Sequence, residues 1–179
     1  MSDLGLIGLI TRGDEQAFDR LFTDWYGKLY TYAYTVLRDE AKAEEAVQAV
    51  FCRIWEKREQ LQVHSSVKAY LYGSVYNECM NWLRQEKHVK AHRLHVLRTS
   101  DHAGAGNAAG KAEMGELEQK LKQALDELPD QCRAIFQLSR FGGLKYREIA
   151  DQLDLSVKTV EAQVSKALKQ LRNKLTDFL

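Results

Sequence analysis

Pro129 is the single proline of this chain, and nowhere do apolar and polar residues alternate as a half-buried strand requires. Helices throughout are the expectation. No run of about 18 apolar residues occurs, so a membrane-spanning helix is not expected. Cysteine is also scarce. Cys52, Cys79 and Cys132 are far apart and odd in number, so they suggest neither a disulfide framework nor a metal-ligand spacing. Each lies in an apolar helical stretch and is expected to be a buried free thiol. Net charge is close to absent, at +1, so bulk electrostatics announce no partner. Neither a glycine-rich phosphate loop nor a nucleophile elbow is found, and no enzymatic activity or cofactor is expected. The opening residues MSDLGLIGLITRGDE carry no basic leader, which predicts a cytoplasmic protein.

What is present is apolar periodicity. At 45% hydrophobic and 28% charged residues, the chain has material for both a core and a wet surface. The spacing predicts a helix from about Asp14 to Leu37, with Phe18, Leu21, Phe22, Trp25, Leu29, Tyr32, Ala33 and Val36 as its stripe. Asp39 is a fair N-cap for a second helix, to about Arg58, with Ala43, Ala46, Val47, Val50, Phe51, Ile54 and Trp55 inward. After a polar connection, Ser65 or Ser66 caps a third helix, to about Lys90, burying Val67, Leu71, Val75, Cys79 and Leu83. The first dozen residues receive no role.

Residues 99–110, TSDHAGAGNAAG, are small and nearly free of large apolar side chains. Such a stretch cannot offset its ordering entropy by burial and reads as a flexible linker. The expected organisation is therefore all-α: a domain at 1–95, a linker at 96–113 and a second small helical domain at 114–179. In the second domain Leu117, Leu121, Ala124, Leu125 and Leu128 form the first stripe. Pro129 suits the first turn of the next helix, and Gly142-Gly143 ends it with a left-handed residue.

Leu144 to Leu171 carries the sharpest motif, LKYREIADQLDLSVKTVEAQVSKALKQL. Tyr146, Ile149, Ala150 and Leu153 point inward on a short helix. Asp154-Leu155-Ser156 makes a tight turn, with Ser156 as the next N-cap. Val157, Val160, Val164, Ala167, Leu168 and Leu171 then form a buried stripe. Small Ala150 permits close helix packing, and the whole is a helix–turn–helix pattern. The second helix turns Lys158, Thr159, Glu161, Ala162, Ser165, Lys166 and Lys169 outward, residue types that read base edges and phosphates in a major groove. Elsewhere, Tyr70, Tyr72, Tyr76, Asn77, Asn81, Trp82, Arg84 and Lys87 interleave aromatics, amides and cations. That mixture can stack on and hydrogen-bond unpaired bases, although some of these aromatics also suit a core. The loop Gln60 to Ser66 is placed to wall a pocket for one extruded base.

Three stretches in this order resemble the sigma-70 family of RNA polymerase sigma factors, of the extracytoplasmic-function (ECF) type that has no middle domain. KAEEAVQAVFCRIWEKR, from Lys42 to Arg58, resembles the polymerase-binding helix, and SSVKAYLYGSVYNECMNWLRQEK, from Ser65 to Lys87, the promoter-melting segment. Ala124 to Arg172 is similar to the domain that reads the −35 element. The resemblance implies that Glu44, Glu45, Gln48 and Trp55 face the β′ clamp helices of core polymerase. It places Tyr70, Asn77 and Asn81 at the single-stranded −10 element, with Arg84 and Lys87 adjoining, and Lys158 to Lys169 at the −35 duplex. It also suggests an anti-sigma factor as a partner. The chain departs from the family at Ala49, where an acid is common, and at Gly73 and Tyr76, where apolar and basic residues are common. About 30 residues between Gln85 and Gly115 would reach on the order of 100 Å extended, or roughly 30 Å as a coil. Two alternatives stand beside this reading. One is a helix–turn–helix regulator that never joins polymerase. The other is a metal enzyme built on His88, His92, His95 and His102, for which no nearby carboxylate or cysteine completes a site.

Overall fold

The structure is a computed structural model that describes residues 3–63, 66–97 and 115–176. Eight α-helices and one short 3-10 turn are present among the described residues. They are α1 (Asp3–Ile10), α2 (Glu15–Leu37), α3 (Glu40–Glu56), the turn Arg58–Gln60, α4 (Val67–Leu97), α5 (Glu116–Asp126), α6 (Asp130–Arg140), α7 (Tyr146–Leu153) and α8 (Val157–Lys174). The expected linker falls largely on 98–114, outside the described residues. None of the described helices is long and apolar enough to cross a membrane.

Local chemistry sets the helix boundaries. Asp14 accepts from the Ala17 amide at 3.0 Å, and Asp39 from the Lys42 amide at 3.0 Å, so each satisfies an orphan donor at a helix start. The bond from the Lys42 amide, together with the positive charge of the Lys42 side chain, holds the Asp39 carboxyl below its usual range. Arg38 ends α2 in the left-handed region, φ 58°, and lets α3 fold back against α2. Ser66, rather than Ser65, caps α4, its Oγ accepting from the Ala69 amide at 3.1 Å.

The N-terminal bundle buries Leu21, Trp25, Leu29, Tyr32 and Val36 of α2 against Val47, Val50, Phe51 and Ile54 of α3 and Leu71, Val75 and Cys79 of α4. Aromatic edges fill the seams: Phe22 lies 4.9 Å from Phe51, and Tyr72 lies 5.5 Å from Tyr32, ring centre to ring centre. Within the first dozen residues, given no role from sequence, Asp3–Ile10 form α1. Leu6, Ile7 and Ile10 are buried there, and Gly13, at φ +85°, turns the chain into α2. Periodicity over eight residues was too short a signal to separate this helix from a tail. The third predicted helix is longer than expected, reaching Leu97.

In the C-terminal bundle Ala124, Leu128, Cys132, Ile135, Leu138, Ile149, Val160, Val164 and Ala167 make the core. Pro129 is the N-cap of α6, where its missing N–H leaves no helix hydrogen bond unmade. Gly142 is required by close approach: a Cβ there would sit 2.5 Å from the Leu138 carbonyl oxygen. Gly143 adopts the left-handed φ of +55° that an α6 terminus of this kind needs. Two stripe residues are corrected outward. Leu121 is 38% and Leu168 43% exposed, because each lies at the edge of a stripe whose centre is already filled by smaller residues.

Cysteine placement is also partly corrected. Cys79 and Cys132 are buried, but Cys52 is exposed. Cys52 follows the inward Phe51, about 100° further around α3, and so faces water. Burial pushes the Cys79 thiol up to about 12, and burial also raises Cys132, whose Sγ donates to the Gln163 carbonyl at 3.2 Å. Because the thiolate is the reactive form, a disulfide reagent should modify one thiol of the native chain quickly, Cys52. Cys79 and Cys132 should react only upon unfolding. Mass mapping of labelled peptides checks this, and fast labelling of Cys79 would contradict the packing.

Candidate nucleic-acid interface

α7 and α8 are held at their crossing by local bonds. Lys145 donates its backbone N–H to Glu148 Oε2 at 2.8 Å, which starts α7. Asp154 ends it in the left-handed region, φ 53°, a conformation that aspartate tolerates better than most residues. Ser156 then caps α8, its Oγ accepting from the Thr159 amide at 3.0 Å. Val160, Val164, Ala167 and Leu171 anchor one face of α8 in the core, and Val157 and Leu155 are half-buried beside them.

The opposite face is wet. Lys158, Glu161, Ala162, Ser165, Lys166 and Lys169 are all exposed, whereas Thr159 is half-buried with its hydroxyl 2.8 Å from Ser156 Oγ. Ser165, Leu168, Lys169, Arg172 and Asn173 line an open cleft of about 500 Å3. A helix N-terminus with exposed amides, hydroxyls and cations on one face can enter a major groove and hold phosphates on its flank.

α4 treats its candidate residues unequally. Asn77, Asn81, Arg84 and Lys87 are exposed along one side, and Tyr70 is half-buried. Tyr72 and Tyr76 are buried, so these two tyrosines are core rather than base-stacking platforms. Burial first raises the hydroxyl of each above its usual range, and Tyr76 is bonded to Gln131. Arg84 Nη1 donates to Asn81 Oδ1 at 3.4 Å, and Lys87 Nζ pairs with Asp130 Oδ2 at 2.7 Å. The loop expected to wall a base pocket includes residues 64 and 65, which lie outside the described residues.

On α3, Glu44, Glu45 and Gln48 are exposed, with Gln48 Nε2 donating to Glu44 Oε1 at 3.2 Å. Trp55 is half-buried, its ring 5.1 Å from Phe18 and covered by the Arg58 guanidinium at 4.6 Å. One neighbouring feature escaped the sequence reading. Tyr26, Tyr30 and Tyr34 of α2 stack at 6.4 Å intervals beside the acids. Desolvation, and then the negative charges of Glu40 and Glu44, raise the Tyr30 hydroxyl above its ordinary value. The four-residue spacing of these tyrosines was the available signal. Among the described residues no cluster of three metal-ligating side chains is present. His88 is exposed on α4, and the side chains of His92, His95 and His102 lie outside the described residues.

Comparisons with known proteins bear on both bundles. A family model described as Sigma-70 region 2 matches residues 21–89, and one described as Sigma-70, region 4 matches residues 118–171. The chain is 25% identical, over 169 residues, to the ECF RNA polymerase sigma factor SigK of Mycobacterium ulcerans, covering 94% of this chain and 90% of that protein. It is 24% identical to SigK of Mycobacterium tuberculosis over 174 residues, covering 96% and 93%. Among solved structures, CnrH in complex with the cytosolic domain of CnrY superposes with a TM-score of 0.70 at 22% identity, covering 98% and 97%. The sigma factor RpoE, in complex with the anti-sigma factor NepR from Bartonella quintana, superposes with a TM-score of 0.68 at 25% identity, covering 89% and 96%.

Proposed function

We infer the working of this chain from the family it belongs to, since it is a sigma-70 family member of the extracytoplasmic-function type, a factor that directs transcription initiation. In this reading residues 1–95 bind core RNA polymerase and the −10 element, 96–113 tether, and 114–179 read the −35 element. Glu44, Glu45, Gln48 and Trp55 face the β′ clamp helices. Tyr70, Asn77, Asn81, Arg84 and Lys87 take unpaired bases and their phosphates. Lys158, Thr159, Glu161, Ala162, Ser165, Lys166 and Lys169 enter the duplex groove. An anti-sigma factor, as in the complex of RpoE with NepR, is the further partner, and the compartment is the cytoplasm.

The observation that carries this reading is the division of α8. Its apolar side is sunk in the C-terminal core while its other side presents cations, an acid and small groups to solvent. Each DNA contact alone is weak, and tethering to polymerase makes the second contact intramolecular. With α4 extending to Leu97, about 17 residues still reach on the order of 60 Å. That exceeds the roughly 50 Å between promoter elements about one and a half DNA turns apart. Holding unpaired bases biases the duplex toward opening with no bond made or broken.

Run-off transcription with core polymerase tests this directly. The chain should direct initiation from a promoter carrying its two elements. Glu44→Lys with Glu45→Lys should abolish both co-purification with polymerase and transcription. Co-purification unaffected by the double reversal would remove α3 from the interface. A chain that binds DNA but never polymerase would favour a free-standing helix–turn–helix regulator instead.

A further inference from the structure

Six large apolar side chains are exposed among the described residues, and three of them, Tyr34, Leu121 and Phe141, line a single cleft of about 370 Å3. Leu125 extends its apolar wall, and Arg38, Lys122 and Gln137 supply polar groups. The walls come from the last turns of α2 and α6 and from α5. The volume falls within the range of about 300–1,000 Å3 typical of small-molecule sites, which favour the seams between domains. Eight residues line the cleft, against the roughly 20–30 that each side of a protein interface supplies. A small molecule therefore fits it better than a second protein does.

Two polar atoms say what such a molecule must carry. Gln137 is 1% exposed, yet its Oε1 finds no hydrogen-bond partner among the described residues. Arg38 Nη2 is buried and unbonded in the same way, although Nε of that guanidinium lies 2.9 Å from Asp126 Oδ1. Buried polar atoms are nearly always bonded in native proteins. Here an unused acceptor and an unused donor belong to residues of one cleft. That pair is the complement of an amide, whose N–H donates and whose carbonyl accepts. Charge points the same way. Burial lowers the Arg38 guanidinium from its ordinary value, and the charge of Arg133 adds to this while Asp126 opposes it. A further negative charge near Arg38 is thus favoured. Lys122, exposed, brings a second cation to the wall.

We propose that this cleft binds a small amphipathic acid that carries an amide, of the N-acyl amino acid class. The acyl chain lies on Leu121, Leu125 and Phe141, the amide pairs with Gln137 and Arg38, and the carboxylate faces Lys122. Because α2 and the α5–α6 pair both line the site, the ligand binds only the packed chain and stabilises it. No residue proposed for DNA or polymerase lines the cleft, so the site goes beyond the sigma-factor reading and does not depend on it.

Calorimetric titration of the full-length chain with N-octanoylglycine tests this without DNA or polymerase. Two analogues dissect the recognition: its methyl ester lacks the charge, and undecanoate, of equal chain length, lacks the amide. N-octanoylglycine should bind as a single molecule per chain. At about a hundredfold excess over its dissociation constant it should raise the melting temperature by about 5–10 °C. Each analogue should bind at least about threefold more weakly. Lys122→Glu should weaken the acid at least about threefold and leave the ester unchanged. Leu121→Asp, which sets a carboxylate in the apolar wall, should remove binding of all three compounds. Absence of saturable binding, equal affinity for the three compounds, or binding indifferent to both substitutions overturns the site. Should Leu121→Asp fail to fold, the contrast between acid and ester in Lys122→Glu, a surface change, decides alone.

Discussion

A polymerase-bound chain carrying Lys158→Ala, Lys166→Ala and Lys169→Ala should lose on the order of a hundredfold in affinity for a −35 duplex at about 0.1 M salt. All three ammonium groups are exposed on the outer side of α8, and each fits a phosphate rather than a base edge. Each phosphate contact releases close to one counterion. The slope of log affinity against log salt should therefore flatten by about 2.7. Glu161→Ala should behave differently. Its carboxylate is of the kind that accepts from a cytosine amine, so its loss should relax sequence preference with little change in slope. Titration over a range of salt, on matched and mismatched duplexes, distinguishes the two. An unchanged slope in the triple variant would put α8 outside the groove. Measuring with polymerase present matters, because each DNA contact alone is weak and tethering makes it intramolecular.

The second large effect is expected inside the protein. Arg133→Ala should destabilise the chain by roughly 3 kcal/mol, the lower end for removal of one partner of a buried charge network. Arg133 Nη2 bridges Asp130 Oδ1 at 3.1 Å and Val36, while Nη1 donates to the carbonyls of Leu128 and Asp126 at 3.4 Å. Those carbonyls lie at the last residue of α5 and two residues beyond it, where orphan acceptors would otherwise be left dry. Asp130 keeps some access to water, which limits the loss. Arg133→Lys should rescue little of it, since one ammonium cannot reproduce a planar fork that serves several acceptors. Urea unfolding checks both variants, with an accompanying fall in melting temperature of about 5–10 °C. A loss below about 0.5 kcal/mol would show that solvent replaces these bonds without cost.

Much of the architecture was legible because it is local. Asp14, Asp39 and Ser156 each bond an amide three residues on, a reach that any sequence window contains. The left-handed Asp154 and the buried Val160–Val164–Ala167–Leu171 stripe follow from the same short range. Of the residues expected outward on α8, all but the half-buried Thr159 are exposed, whereas Leu168, expected inward, is exposed as well. On α4 the reading was weaker. Tyr72 and Tyr76 share residue type with half-buried Tyr70, and helical spacing alone does not say which side a second bundle will cover. Cys52 and Leu121 fail similarly, being one helical step from a stripe whose width only packing fixes.

By itself, then, the sequence determined the helices, their caps, the crossing of α7 on α8 and the surface that α8 turns to solvent, because these depend on neighbours within about one turn. Tertiary structure alone decided that Arg133 is buried against Val36, that Gly73 receives Gln152 and that Lys87 meets Asp130. Those partners are separated by tens of residues, and no periodicity links them. They exist only where two independently readable bundles come together.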